Sequence, residues 1–297
     1  MRMSTALSPT LADYTRSSWR RGLALYLEHP FIHAGRWFGF VSRRAWPGRL
    51  VRFTDDDGHR YVSLKNNFTS MAVAVLGQRD PNVMRFLRQW IRPGQVICDV
   101  GANIGTYTLP LAQLAGPSGH VLAFEPNRST RACLRQNLRQ NQIRNATVVA
   151  AAAGAEPGRG SLVVTPANLG EVHLATDTRA AGPRVTITTV DRELARLGYP
   201  RVHFIKLDVE GFELAVLRGA TRALAASPDV VVQTEIVPAH AARYGFTLED
   251  LTAFFANFGL MPHACDDRGR MIPLASPLAT GSLDVFWARD LSRSLRS

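Results

Sequence analysis

Lysine is nearly missing from this chain: only Lys65 and Lys206 stand among 35 basic residues. The net charge of +11 is therefore carried by arginine. With the alanine richness, this fits the codon usage of a GC-rich bacterial genome. The arginines are spread along the chain, and a nucleic-acid binder would gather them with interleaved aromatics. Only Trp19–Arg49 comes near that pattern. Cysteine is also scarce. Cys98, Cys133 and Cys265 form no CxxC pair, which excludes a zinc ribbon and a disulfide scaffold and favours reduced thiols in a cytoplasm. No apolar run approaches the length of a membrane span, and Arg16, Arg20 and Arg21 interrupt any signal-peptide core.

What remains is an ordinary globular composition, 46% hydrophobic and 20% charged. Residues 1–80 carry no repeating pattern and read as an N-terminal cap or extension. The piece Trp19–Trp46 mixes arginines with Tyr26, Phe31, Trp37, Phe38 and Phe40, as a helical cap or an amphipathic surface does. Arg49–Phe53 and Arg60–Leu64 read as short strands around an Asp55–Gly58 turn, and Val83, Phe86, Leu87 and Trp90 have helical spacing.

Residues 81–297 alternate between strands and helices. Expected strands are Val96–Val100, His120–Phe124, Thr147–Ala152, Val202–Leu207 and Val230–Ile236. Expected helices are Gly105–Leu114, Ser129–Asn141, Glu213–Ala225 and Leu248–Phe258. Leu260–Ala264 and Leu283–Ala288 have no helix between them, so they read as a closing antiparallel hairpin. The sum is a seven-stranded, mostly parallel α/β sheet. Residues 154–190, rich in glycine and proline, interrupt it as an inserted hairpin with a loop near the site's mouth.

Chemistry concentrates at three strand ends. Asp99-Val100-Gly101-Ala102-Asn103-Ile104-Gly105-Thr106-Tyr107 joins the first strand to the first helix. Gly101 and Gly105 allow a tight turn and close ligand approach. A phosphate would favour the helix end, but Asp99 at the loop's entrance repels it. Asn103 replaces the middle glycine of the dinucleotide pattern, which argues against a nicotinamide enzyme. A phosphate-free cation such as S-adenosylmethionine suits an acidic loop. Glu125, 26 residues after Asp99, stands where an acid takes ribose hydroxyls. Its plainer alternative is a charge near the N-terminus of the next helix.

The third constellation is Ile205-Lys206-Leu207-Asp208-Val209-Glu210-Gly211-Phe212-Glu213. Asp208 and Glu210 share a face of an extended segment and can orient a substrate, act as general base or hold a metal. The other ligands a metal would need are not legible, so none is assigned. Glu213 also suits the N-terminus of the following helix.

Together with Asn137, Asn141, Thr189-Val190-Asp191 and Leu217-Arg218-Gly219-Ala220, these motifs resemble the FkbM family of methyltransferases over about residues 80–260. The resemblance implies a Rossmann-like class I methyltransferase fold, S-adenosylmethionine as cofactor, and O-methylation of sugars, polyketides or related bacterial products. Asp99, Gly101, Asn103 and Gly105 are expected at the methionine end and Glu125 at the ribose. Ala102, Tyr107 and Asn127 complete the cofactor-binding set. Asp208 and Glu210 are expected at the reacting centre, one of them as base, with His240 and His173 in reserve. The expected partner is a small-molecule or glycan acceptor. An RNA-modifying enzyme and a non-catalytic interaction module are the alternatives.

Overall fold

The computed structural model describes residues 30–45, 48–165, 168–177, 181–274 and 283–289. The N-terminal part forms α1 (Pro30–Ala45), a hairpin of β1 (Leu50–Thr54) and β2 (Arg60–Leu64), then α2 (Phe68–Leu76) and α3 (Pro81–Trp90). An alternating run follows: β3 (Val96–Val100), α4 (Thr108–Ala115), β4 (His120–Phe124), α5 (Arg128–Gln140) and β5 (Ala146–Val149). Four short strands interrupt it: β6 (Ala152–Ala153), β7 (Gly158–Thr165), β8 (Asn168–Leu174) and β9 (Arg184–Thr188). Alternation resumes with α6 (Val190–Arg196), β10 (Phe204–Leu207), α7 (Glu213–Arg218), α8 (Thr221–Ala226), β11 (Val231–Ile236), α9 (Pro238–Arg243) and α10 (Leu248–Ala256). The last strands are β12 (Met261–Cys265), β13 (Met271–Pro273) and β14 (Leu283–Ala288).

The main sheet runs β13-β12-β14-β11-β10-β3-β4-β5. β5, β4, β3, β10 and β11 are parallel, and β14 is antiparallel to both β11 and β12. This is the expected Rossmann-like α/β sheet with its closing antiparallel pair. It has eight strands instead of seven. The addition is β13, three residues ending in proline and too short to stand out in the sequence. β3 and β10 are buried at every position, as strands covered on both faces must be. Winding reverses between β3 and β10, so the loops after them open a crevice at the topological switch point.

Four sequence expectations are corrected. Thr147–Ala152 is not one strand: β5 stays in the main sheet and β6 pairs with β9 in a separate four-stranded sheet. The insert is thus a sheet of its own, carrying the β7–β8 hairpin; its loop residues 166–167 and 178–180 lie outside the described residues. The first helix starts at Thr108 rather than Gly105, because Gly101, Asn103 and Gly105 all have positive φ. The helix from Glu213 breaks at Gly219, where a Cβ would meet the Gly154 carbonyl oxygen at 2.0 Å. α2, α6 and α9 were not anticipated. α2 is apolar nearly all round, and α6 is one short run capped by the Thr189 side chain.

The described part of the N-terminal segment shares a core with the main sheet's helices. Phe40, Val51, Phe53, Tyr61 and Val73 pack with Ile104, Leu109, Leu134 and Leu138. α1 buries Phe40 and leaves Ile32, Trp37 and Phe38 exposed; residues 19–29 and 46 of the aromatic-arginine stretch lie outside the described residues. Asn137 ties these parts together. Fully buried on α5, it accepts from Val62 N (2.7 Å) and donates to the carbonyls of Val62 (3.1 Å) and Ile104 (2.8 Å). Asn137→Ala leaves three backbone groups unsatisfied and should cost about 2–3 kcal/mol. A lower urea midpoint with an unchanged m-value checks it.

Candidate active site

The first strand ends in Asp99, which is buried and accepts from the Thr108 hydroxyl (2.5 Å). Burial pushes its carboxyl up, against the pull of Lys206. Its Oδ1 is buried and has no hydrogen-bond partner among the described residues. The loop then turns through Gly101 at φ +89°, where a Cβ would meet the Asp208 carbonyl oxygen at 1.9 Å. Only glycine lets the β3 and β10 loops lie this close. Asn103 sits at φ +51°, in the left-handed region that asparagine tolerates better than most side chains. That is why it can stand where a dinucleotide loop has glycine. Its side chain accepts from Asn67 Nδ2 (2.7 Å) and donates to the Gly170 carbonyl (3.3 Å), linking the loop to the N-terminal part and the insert.

Glu125 lies beyond β4. Asn103 N donates to its Oε2 and Asn127 N to its Oε1, each at 2.8 Å. Burial pushes this carboxyl up to about 7, while the two backbone N–H groups favour the ionised form. Both oxygens keep further lone pairs, so a pair of vicinal hydroxyls could be accepted from. Asn127 itself caps α5 by accepting from Ser129 N (3.0 Å).

A single cavity joins these groups. Gly101, Asn103, Glu125 and Pro126 line it on one side, Asp208, Glu210, Glu235 and Arg79 on the other, and Gly170, Val172 and His173 of the insert cover it. The sequence-derived residues Gly101, Asn103, Glu125, Asp208 and Glu210 thus converge. Asp99, Ala102, Gly105, Tyr107 and Asn127 do not line it and lie behind its wall. Ala102 N holds the Phe124 carbonyl (3.0 Å), Gly105 packs against Leu109 and Leu134, and the Tyr107 ring faces Lys206 Nζ at 4.6 Å. The Tyr107 hydroxyl donates to Asp80 (2.8 Å).

Asp208 is clamped. Lys206 Nζ (3.0 Å) and Arg79 Nη2 (3.2 Å) both reach its Oδ2. Burial alone would raise this carboxyl, but the two cations hold it well below the usual range. Glu210 is the opposite case. Its backbone is left-handed at φ +56°, and burial, then Asp208 and Glu171, push its carboxyl up to about 7. His240 on α9 places Nδ1 3.1 Å from Glu210 Oε2. Glu171, Glu210 and His240 bring one ligand-type atom each within 4.8 Å, as do Asp55, Asp57 and His59. The first set reads as a close His240–Glu210 pair with an acid nearby, the second as a turn in which His59 bonds Asp55 (2.9 Å). Glu213 is buried and accepts from Gly211 N (3.1 Å), a role inside the loop.

Two charged cavity residues escaped sequence reasoning. Arg79 lies in the patternless N-terminal part and gave no signal. Glu235 did: an acid in a mostly buried strand, one residue before its end.

The donor set fits a cationic, phosphate-free nucleoside. Four carboxyl groups line the cavity, and its arginine is already engaged by Asp80 and Asp208. A diphosphate would meet like charge there.

Hexuronic acid methyltransferase AglP of Haloferax volcanii is 32% identical over 159 residues, 53% of this chain and 62% of that protein. AMB antimetabolite synthetase AmbE of Pseudomonas aeruginosa is 28% identical over 280 residues, 74% of this chain but 13% of the synthetase. The chain therefore spans less than two thirds of either relative. Among solved structures, precorrin-6Y C5,15-methyltransferase of Geobacter metallireducens aligns with TM-score 0.41 and 17% identity, over 70% of this chain and 87% of that one. The family pattern described as the methyltransferase FkbM domain matches residues 99–262, more than half of the chain. The chain belongs to the FkbM methyltransferase family.

Proposed function

We propose that this protein methylates a hydroxyl oxygen on a sugar, glycan, polyketide or similar bacterial metabolite. The observation that carries the reading is the one cavity that joins Glu125 to Asp208 and Glu210 across the switch point. The name of the relative AglP, a hexuronic acid methyltransferase, supports a sugar-type acceptor. A cytoplasmic setting fits Cys98, Cys133 and Cys265, none of which is in a disulfide.

S-adenosylmethionine supplies, when bound, a methyl group already activated on a sulfonium. The protein's task is then to hold both partners in line, exclude water and take the acceptor's proton. Glu125 accepts from the ribose hydroxyls. Asp99, Gly101, Asn103 and Gly105 shape the methionine end, with Ala102, Tyr107 and Asn127 supporting the loop, Glu125 and Lys206. Asp208, held ionised by Lys206 and Arg79, contributes fixed negative charge and is a poor base. Glu210 is the base, with a carboxylate near neutrality and His240 orienting it. The insert residues Val172 and His173, with Arg79, line the cavity that the acceptor would share.

Calorimetry with S-adenosylmethionine and S-adenosylhomocysteine tests the reading. Glu125→Ala should weaken both ligands about 10- to 100-fold, since it removes a charged acceptor shared by two hydroxyls. Unchanged affinity for both would take the ribose away from Glu125. A wild-type protein that binds neither would overturn the assignment of the cavity.

A further inference from the structure

Asp208 and Glu235 follow paired positions of neighbouring parallel strands. Leu207 of β10 faces Thr234 of β11, so the two acids emerge side by side. Both line the cavity, and each carboxyl bears on the other's ionisation. The cations that face the pair are aimed at one member. Lys206 Nζ and Arg79 Nη2 lie 3.0 and 3.2 Å from Asp208 Oδ2, whereas Arg79 Nη2 is 4.0 Å from Glu235 Oε2.

The remaining charged groups on this side are acids or already engaged. Asp284 on β14 adds negative charge next to Glu235 and binds the Gln233 amide (2.9 Å). Asp80 accepts from Arg79 Nε (3.1 Å) and from the Tyr107 hydroxyl (2.8 Å). Asp208 first, then burial and Asp284, push the Glu235 carboxyl upward against the weaker pull of Arg79 and Lys206. A proton shared by the pair therefore resides on Glu235, because both cations are aimed at Asp208.

A cation entering the cavity changes that balance. Glu235 gives its proton to solvent, and the new carboxylate is neutralised by the ligand's charge. A neutral ligand gives no such compensation, and the proton stays. The methyl donor and its spent product share ribose, ammonium and carboxylate, and they differ by a methyl group and by the charge on sulfur. We propose that the Asp208–Glu235 pair discriminates between them by that charge, binding the sulfonium in preference to the thioether. This makes Glu235 a specificity residue that favours donor capture and product release. It rests on reading the cavity as the S-adenosylmethionine site.

The test is calorimetric and needs no acceptor. Wild-type protein and Glu235→Gln are titrated with S-adenosylmethionine and S-adenosylhomocysteine, in buffers of differing ionisation heat, from pH 6.5 to 8.5. Wild type should release more protons on binding the donor than the product at pH 7. Its preference for the donor should grow as pH rises, since less work is then needed to ionise Glu235. Glu235→Gln should lose about tenfold of that preference, through weaker donor binding alone, an effect of the size of one pKa unit. Equal proton release with both ligands in wild type would overturn the proposal without any variant. So would a variant that weakens both ligands alike. Failure of both ligands to bind wild type would instead overturn the site assignment itself.

Discussion

Glu210→Gln should cut turnover by about a hundred- to ten-thousandfold, the usual worth of a positioned general base. Donor affinity should change by no more than about threefold, because the loss falls on the chemical step. The choice of Glu210 over Asp208 comes from their partners. Asp208 is stabilised as the anion by Lys206 and Arg79 and gains little by accepting a proton. Glu210 is partly buried near two other acids, and its carboxyl is raised to about 7. A base must be unprotonated to act, so wild-type turnover should climb as pH rises through about 7 and level off above it. The variant should lose that limb of the profile. Turnover that persists in a chelator keeps Glu210 in this role. Turnover lost on chelation and restored by magnesium would make it a metal ligand instead.

Much of the fold was legible because its signals are local. β3 and β4 are short, mostly apolar runs, and each sits near a helix with its own spacing. The loops after β3, β4 and β10 were legible for another reason: glycines and acids concentrate there without any demand from the core. What escaped depends on distant contacts. The break at Gly219 exists because the Gly154 backbone lies against it. The second sheet forms because β6 departs from β5 to pair with β9, a choice no local pattern records. Arg79 joins the site from 129 positions before Asp208, and nothing in its neighbours marks it. Asp99 and Tyr107 show the converse limit. Their motif was read correctly as a loop, but side-chain direction decides whether a residue faces the cavity or supports its wall, and that direction is set by Thr108 and Lys206.

Gly101→Ala should be the most damaging single-methyl change in the molecule's site. The added Cβ would sit 1.9 Å from the Asp208 carbonyl oxygen, a backbone atom with no rotamer to escape into. Asp208 N is itself fixed to the Val100 carbonyl (3.0 Å), and Gly101 N to the Phe124 carbonyl (3.1 Å), so neither loop can yield alone. The φ of +89° adds strain for any L side chain. Strain and overlap together should cost about 3 kcal/mol or more. For a chain of this size that lowers the melting temperature by about 6–12 °C. Gly58→Ala separates the two causes. Gly58 has a similar φ of +83° with nothing within 4 Å of the added methyl, so it reports backbone strain alone, about 1 kcal/mol. The excess loss at Gly101 then measures how tightly the β3 and β10 loops are held together. Because Gly101 and Asp208 both line the cavity proposed for the donor, S-adenosylmethionine affinity should fall with stability at Gly101 and stay unchanged at Gly58. Equal melting temperatures for the two variants would mean that the loops can part at little cost, and that the crevice is not held closed by their contact.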